Sequence, residues 1–202
     1  MQKVLLFLSI DGVLNVTDSG TPQLLSTHMP AGLLEESYEG AYGFPVSLAR
    51  SFLQAVDRAE WIEAIWFSAQ WLENATVWNE WSATRHWRIG YPLSMRQMRG
   101  LVSIYPKLNL EQFDGKTLAA IWHAHDASRV VWIQESFDPC AIAWAAKDSR
   151  IHLIDTRHPS DPSYNGIQPW NIDGILSALS LELEAPPSPE PPIASPSGSP
   201  PG

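Results

Sequence analysis

Ser9, Asp11, Ser68, Lys116 and Gln134-Glu135 carry side chains able to handle a charged oxygen ligand, and each stands beyond an apolar run or opens a helix. Ser9 and Asp11 follow the run Val4–Leu8 in the sequence Ser9-Ile10-Asp11-Gly12-Val13-Leu14-Asn15. Ser68 follows the apolar stretch 62–67, Lys116 comes after Asp114-Gly115, and Gln134-Glu135 end the stretch that begins at Val130, with Asp138 four residues past Gln134. Hydroxyls and a lysine donate to anionic oxygens, whereas carboxylates act as acids and bases or as hard ligands for magnesium. A serine hydroxyl attacks an electrophile only with help from a base, which Asp11 could supply.

Each of these residues also has a plain structural role open to it. Asp-Gly is a strong hairpin-turn signal, and Ser68 suits the N-cap of a following helix. Lys116 could be a solvated first-turn residue, and Glu135 and Asp138 could favour the dipole of the helix that begins near Ala141. Their places relative to the secondary structure decide between these readings.

Apolar runs rich in β-branched and aromatic residues alternate with stretches of helical periodicity. Strands are expected over 4–8, 62–67, 130–133 and 151–154, and helices over 47–59, about 72–82, 116–125, 141–147 and 172–181. Leu48, Phe52, Leu53 and Val56 illustrate the helical spacing. This alternation predicts an α/β, Rossmann-like parallel sheet with helices on both faces. In such sheets ligands bind at the carboxyl ends of the strands, where Ser9, Asp11, Ser68, Gln134 and Glu135 all fall.

The segments 17–44 and 87–110 escape the alternation and are expected to be irregular flaps or inserts, the second with a short strand near 101–105. From Ala185 the chain turns to Pro, Ser and Gly. One domain over 1–184 and a disordered, partly polyproline-II tail over 185–202 follow. The PxxP spacings at Pro186, Pro189 and Pro192 could engage a protein partner.

The ordered succession of these residues resembles the motifs of the haloacid dehalogenase (HAD) superfamily. The stretch from Ile65-Trp66-Phe67-Ser68-Ala69-Gln70-Trp71 onward, with Val131-Trp132-Ile133-Gln134-Glu135 and Ala143-Trp144-Ala145, is similar to the HAD domain of bacterial multidomain RNA-repair proteins. The resemblance covers about residues 1–181. It implies a phosphohydrolase in which Asp11 is the acid/base, Ser68 and Lys116 bind phosphate beside the Gly12 backbone, and magnesium is held by Asp11 with Glu135 or Asp138.

Two positions depart from that pattern: Ser9 stands where an aspartate nucleophile belongs, and Gln134 where a carboxylate is common. A carboxylate is ionised at neutral pH without help, and its acyl phosphate is labile. A phosphoserine is an ordinary monoester, and such esters hydrolyse extremely slowly when uncatalysed. Losing two carboxylates also weakens a magnesium site. The expectation is a phosphate-ligand-binding domain with a degenerate site and weak or absent turnover. An active magnesium-dependent phosphohydrolase acting on nucleotide or RNA-end phosphates, using Asp11 or Ser9, and a non-catalytic scaffold working through its proline-rich tail are the alternatives.

Composition narrows the partners. Over 202 residues the net charge is −9, which disfavours general nucleic-acid or anionic-membrane binding and leaves a phosphorylated small molecule or a nucleic-acid end possible. Arg85, Arg88, Arg96 and Arg99 form a local cationic cluster that could grip such a ligand or simply be solvated. His123 and His125 are two apart on a predicted helix and so point apart; with His152 and His158 they are expected to be structurally satisfied or exposed. Cys140, the single cysteine, is expected to be a buried small hydrophobe. The first apolar run is too short for a membrane span, and a cytoplasmic protein is expected.

Overall fold

A computed structural model describes residues 3–10, 12–14, 46–68 (46–50 as backbone), 79–80, 82–85, 87–157, 159–160, 166–167 and 171–181. Asp11, His158, the 17–44 segment, residues 72–78 and 81 of the expected 72–82 helix and the 185–202 tail lie outside them.

The elements in chain order are β1 (Val4–Leu8), α1 (Val46–Arg58), β2 (Ile62–Trp66), β3 (Arg88–Ile89), α2 (Met95–Ile104), a 3-10 turn (Leu110–Gln112), α3 (Gly115–Ala124), β4 (Arg129–Gln134), α4 (Pro139–Ala145), β5 (Ile151–Asp155) and α5 (Ile172–Leu179). The strands form one sheet in the order β3-β2-β1-β4-β5, and every pairing is parallel. β1 is central, with Leu8 level with Trp66 on one side and Ile133 on the other.

Alternation along β1 divides its side chains between two cores. Val4, Leu6 and Leu8 pack with Val131 and Ile133 against Phe52, Leu53 and Val56 of α1 and Ile175 and Leu179 of α5. Leu5 and Phe7 pack with Val130 and Trp132 against Ala119, Ala120 and Ala124 of α3 and Ala141 of α4. With apolar cover on both faces, β1 is buried at every position, which is why it reads as a continuous apolar run.

The segment 87–110 is more regular than expected. It holds the edge strand β3, and residues 101–104 of the expected short strand lie in α2. Ser94 accepts from the Gln97 amide at 3.3 Å, and its own amide donates to Gln97 Oε1 at 2.8 Å, a capping box that starts the helix. Met98, Leu101 and Tyr105 then recur on one face against Leu118 and Ile121 of α3, so tertiary packing selects the helical period. A Cβ on Gly100 would lie 2.6 Å from the Trp122 ring, so glycine is what lets α2 approach α3 this closely. Among the described residues no helix is long and apolar enough to cross a membrane.

Candidate functional site

β1 leads through α1 to β2 on one side, whereas β4 lies on the other, so the chain direction across the sheet reverses between β1 and β4. Parallel strands leave a crevice above their carboxyl ends at such a point. Ser9 follows β1 there and Gln134 closes β4. Ser9 is 3% exposed, and its amide donates to the Ile133 carbonyl at 3.2 Å, which fixes it between the two strands.

The Ser9 hydroxyl is surrounded by partners. Its single proton is shared between the Phe67 carbonyl at 3.3 Å and Gln134 Oε1 at 3.4 Å, and it accepts from Lys116 Nζ at 3.0 Å. Gln134 turns its amide nitrogen onto the Ser136 carbonyl, which leaves Oε1 aimed at Ser9.

Lys116 reaches Ser9 from the first turn of α3. Asp114 caps that helix, accepting from the amides of Lys116 at 2.7 Å and Thr117 at 3.0 Å. Burial alone would raise the Asp114 carboxyl; hydrogen bonds from the Thr117 hydroxyl and amide, the Cys140 thiol and the Lys116 amide outweigh it and hold the group below the usual carboxylate range. The Lys116 ammonium also lies 5.9 Å from the centroid of the Phe67 ring.

The turn after β1 is pinned from the far strands. Gly12 has φ of +68°, and a Cβ there would lie 2.1 Å from Glu135 Oε2, so the Glu135 side chain packs directly over a position only glycine leaves open. Thr156 Oγ1 donates to the Gly12 carbonyl at 2.6 Å, and the Ile167 amide donates to the Val13 carbonyl at 2.9 Å. The Glu135 carboxylate also interacts electrostatically with Arg157, which is itself paired with Asp155.

Ser9, Lys116, Gln134, Glu135 and Gly12 are thus brought to the ends of β1 and β4. Ser68 is half-buried one residue past the Phe67 carbonyl that Ser9 contacts; residues 69–78, which would show whether it caps a helix, are outside the description. Asp138 is placed in a different setting. It caps α4 by accepting from the Cys140 amide at 2.9 Å, and its carboxylate, Asp114 and Cys140 Sγ offer ligand atoms all within 4.8 Å of one another. Cys140 is half-buried rather than fully buried, and its thiol donates to Asp114 Oδ2 at 3.2 Å. Burial, followed by Asp138, pushes that thiol's pKa up, so it stays protonated at neutral pH.

No family model, curated protein or solved structure matches the chain.

The arginine cluster separates in the fold. Arg85 pairs with Asp57 at 3.2 Å and Arg88 with Glu63 at 2.7 Å, whereas Arg96 and Arg99 are exposed on α2. His123 is buried, with Nε2 at 3.0 Å from the Gly90 carbonyl and Nδ1 at 3.1 Å from Arg88, and His125 meets the Trp122 carbonyl at 2.8 Å. Thr156 was not singled out from the sequence, although it immediately follows β5 and the strand-end rule that selects Ser9 and Gln134 selects it too.

Proposed function

We propose that residues 1–184 form a HAD-like domain that binds a phosphorylated ligand at the β1/β4 crevice and turns it over weakly or not at all. The observation that carries this reading is the 3.0 Å contact from Lys116 Nζ to Ser9 Oγ. A carboxylate at residue 9 would place a negative charge beside that ammonium; the Ser9 hydroxyl adds none. The exchange leaves the crevice more receptive to an anion and less receptive to a cation.

In this reading Lys116 draws the phosphoryl group by charge, and the Ser68 hydroxyl and the backbone at Gly12 add donors to its oxygens. Asp11 is the acid/base residue. Ser9 holds Lys116 in place through its oxygen lone pair and meets the Gln134 amide, a link that positions without supplying a labile phospho-intermediate.

The donor set is of the hard-oxygen type that magnesium takes, with the Ser9 hydroxyl, the Gln134 amide oxygen, the Glu135 carboxylate and Asp11 as the groups that would hold it. Bound magnesium would supply neutralisation of phosphoryl charge. Ser9 and Gln134 contribute no formal charge, so weak affinity is expected; Asp138, engaged with Cys140 and Asp114, is the lesser candidate.

Two measurements test this together: titration with inorganic phosphate, and steady-state assay of p-nitrophenyl phosphate and of nucleotide and RNA-end 3′- and 5′-phosphates with magnesium. Phosphate binding weakened about tenfold by Lys116→Met, with little or no turnover, is the expected result. Robust turnover that Asp11→Asn abolishes would instead establish a working phosphohydrolase.

A further inference from the structure

The amino-terminal edge of the sheet, opposite the β1/β4 crevice, carries a second cavity. Its volume is about 690 Å³, and Trp61, Arg129, Ser149, Arg150, His152 and Ser180 are among its lining residues. That volume lies within the ~300–1,000 Å³ range of small-molecule pockets. Val4 also lines it while Ser9 follows the other end of β1, so the strand's own length, about 13 Å from Val4 to Leu8, separates the two places.

The register explains how the polar groups converge. Val131 faces the α1/α5 core, so Arg129, two residues earlier in β4, and His152, level with Val131 in β5, share that side of the sheet. The end of α5 then brings Ser180 beneath them in a left-handed conformation, φ 53°.

Arg129 and His152 are half-buried here, whereas Ser149, Arg150 and Ser180 are exposed at the cavity mouth. The half-buried Arg129 makes one side-chain hydrogen bond among the described residues, Nη1 to the Ala178 carbonyl at 3.1 Å, and no carboxylate there pairs with it. The carboxyl-terminal dipole of α5 offsets part of its charge, and its other N–H groups have no partner among the described residues. The His152 ring and the Ser149 and Ser180 hydroxyls likewise have no hydrogen-bond partner among the described residues. Arg150 differs, because Asp148 holds its guanidinium at 2.6 to 3.1 Å and balances its charge. The Trp61 indole donates to the Leu179 carbonyl at 3.2 Å, so it is fixed as an apolar wall.

A half-buried guanidinium that no carboxylate among the described residues pairs, beside two accessible hydroxyls and a fixed indole, is chemistry that an anion attached to an aromatic body would complete. We propose that this cavity binds a phosphorylated aromatic small molecule of nucleoside-monophosphate size, with Arg129 and the serine hydroxyls on the phosphate and Trp61 against the ring. The site owes nothing to Ser9 or Lys116.

The test is titration of the full chain with AMP, adenosine and inorganic phosphate, read by calorimetry and by the Trp61 indole N–H resonance, in wild type and in Lys116→Met. Saturable AMP binding that persists in Lys116→Met, moves the Trp61 resonance, exceeds adenosine and phosphate binding, and falls about tenfold in Arg129→Gln is expected. Because Arg129 also contacts the end of α5, Ser149→Ala and His152→Gln serve as second variants, each expected to weaken AMP about threefold or more. Absence of saturation, AMP binding lost in Lys116→Met, or affinity unchanged in all of these cavity variants would overturn the proposal.

Discussion

The hydroxyl of Ser9 sits within reach of an ammonium, an amide oxygen and a main-chain carbonyl, so its replacement reports directly on the crevice. In Ser9→Asp the new carboxylate would pair with Lys116 and add an anionic ligand beside Gln134. Magnesium affinity, measured by calorimetry, should rise about tenfold or more, with inorganic phosphate affinity falling in parallel. Unchanged magnesium affinity would show that Gln134 or its surroundings also blocks the ion. Gly12 gives a second probe: Gly12→Ala forces a left-handed residue against Glu135 and should cost about 1–3 kcal/mol in chemical denaturation. The convergence of Ser9, Lys116 and Gln134 was legible because strand ends and a helix start are local features of the sequence. The seating of Glu135 over Gly12, the Thr156 tie and the Asp114–Cys140–Asp138 grouping were not, since each depends on side-chain directions that appear only when distant loops meet.

Among the elements, β1 and β4 were readable because burial on both faces leaves continuous apolar runs, and β2 and β5 because isoleucine-rich stretches persist around Glu63 and His152. β3, with Arg88 and Ile89, is too short to show a period and exists through its pairing with Ile65 and Trp66. α2 was misread for a related reason: Leu101, Val102, Ile104 and Tyr105 have strand-like composition, and only the Ser94–Gln97 cap and the α3 surface make the helix the better solution. β2 and β4 also offer a matched comparison. The Trp66 indole donates to Asn79 Oδ1 at 3.0 Å, whereas the fully buried Trp132 Nε1 has no hydrogen-bond partner among the described residues. Both rings are 1% exposed, so Phe removes similar volume at each place. Trp66→Phe should destabilise the fold by about 1 kcal/mol or more beyond Trp132→Phe, because it breaks a satisfied buried bond while the other removes a donor already unmet. Equal urea midpoints for the two variants would refute this.

At the scale of the whole molecule, the sheet separates an upper crevice built on Ser9 and Lys116 from a lower edge where, on the β2–β3 side, charge is tied into the fold itself. There Lys3 and Arg88 both pair with Glu63, and Arg88 abuts His123. Burial, followed by the Arg88 charge, lowers His123 from the ordinary 6.5 to about 4. Between those values the unfolded chain binds a proton that the folded chain refuses, so stability should fall as pH drops from about 6.5 toward about 4 and be flat above neutrality. Glu63 and Asp114 act at lower pH: their carboxyls are held below the ordinary values of 4.5 and 3.8, so the stability they add is present above those values and is lost as pH falls from them through the lowered ones. Glu63 and His125 are the other titratable groups acting on the ring, the first favouring its protonation and the second opposing it. Urea midpoints should therefore be lower at about pH 5 than at about pH 7. His123→Gln, which keeps an amide donor for the Gly90 carbonyl and an acceptor for Arg88, should flatten that slope. A wild-type profile level across this window, or a slope that survives in His123→Gln, would place the sensitivity elsewhere in the acidic chain.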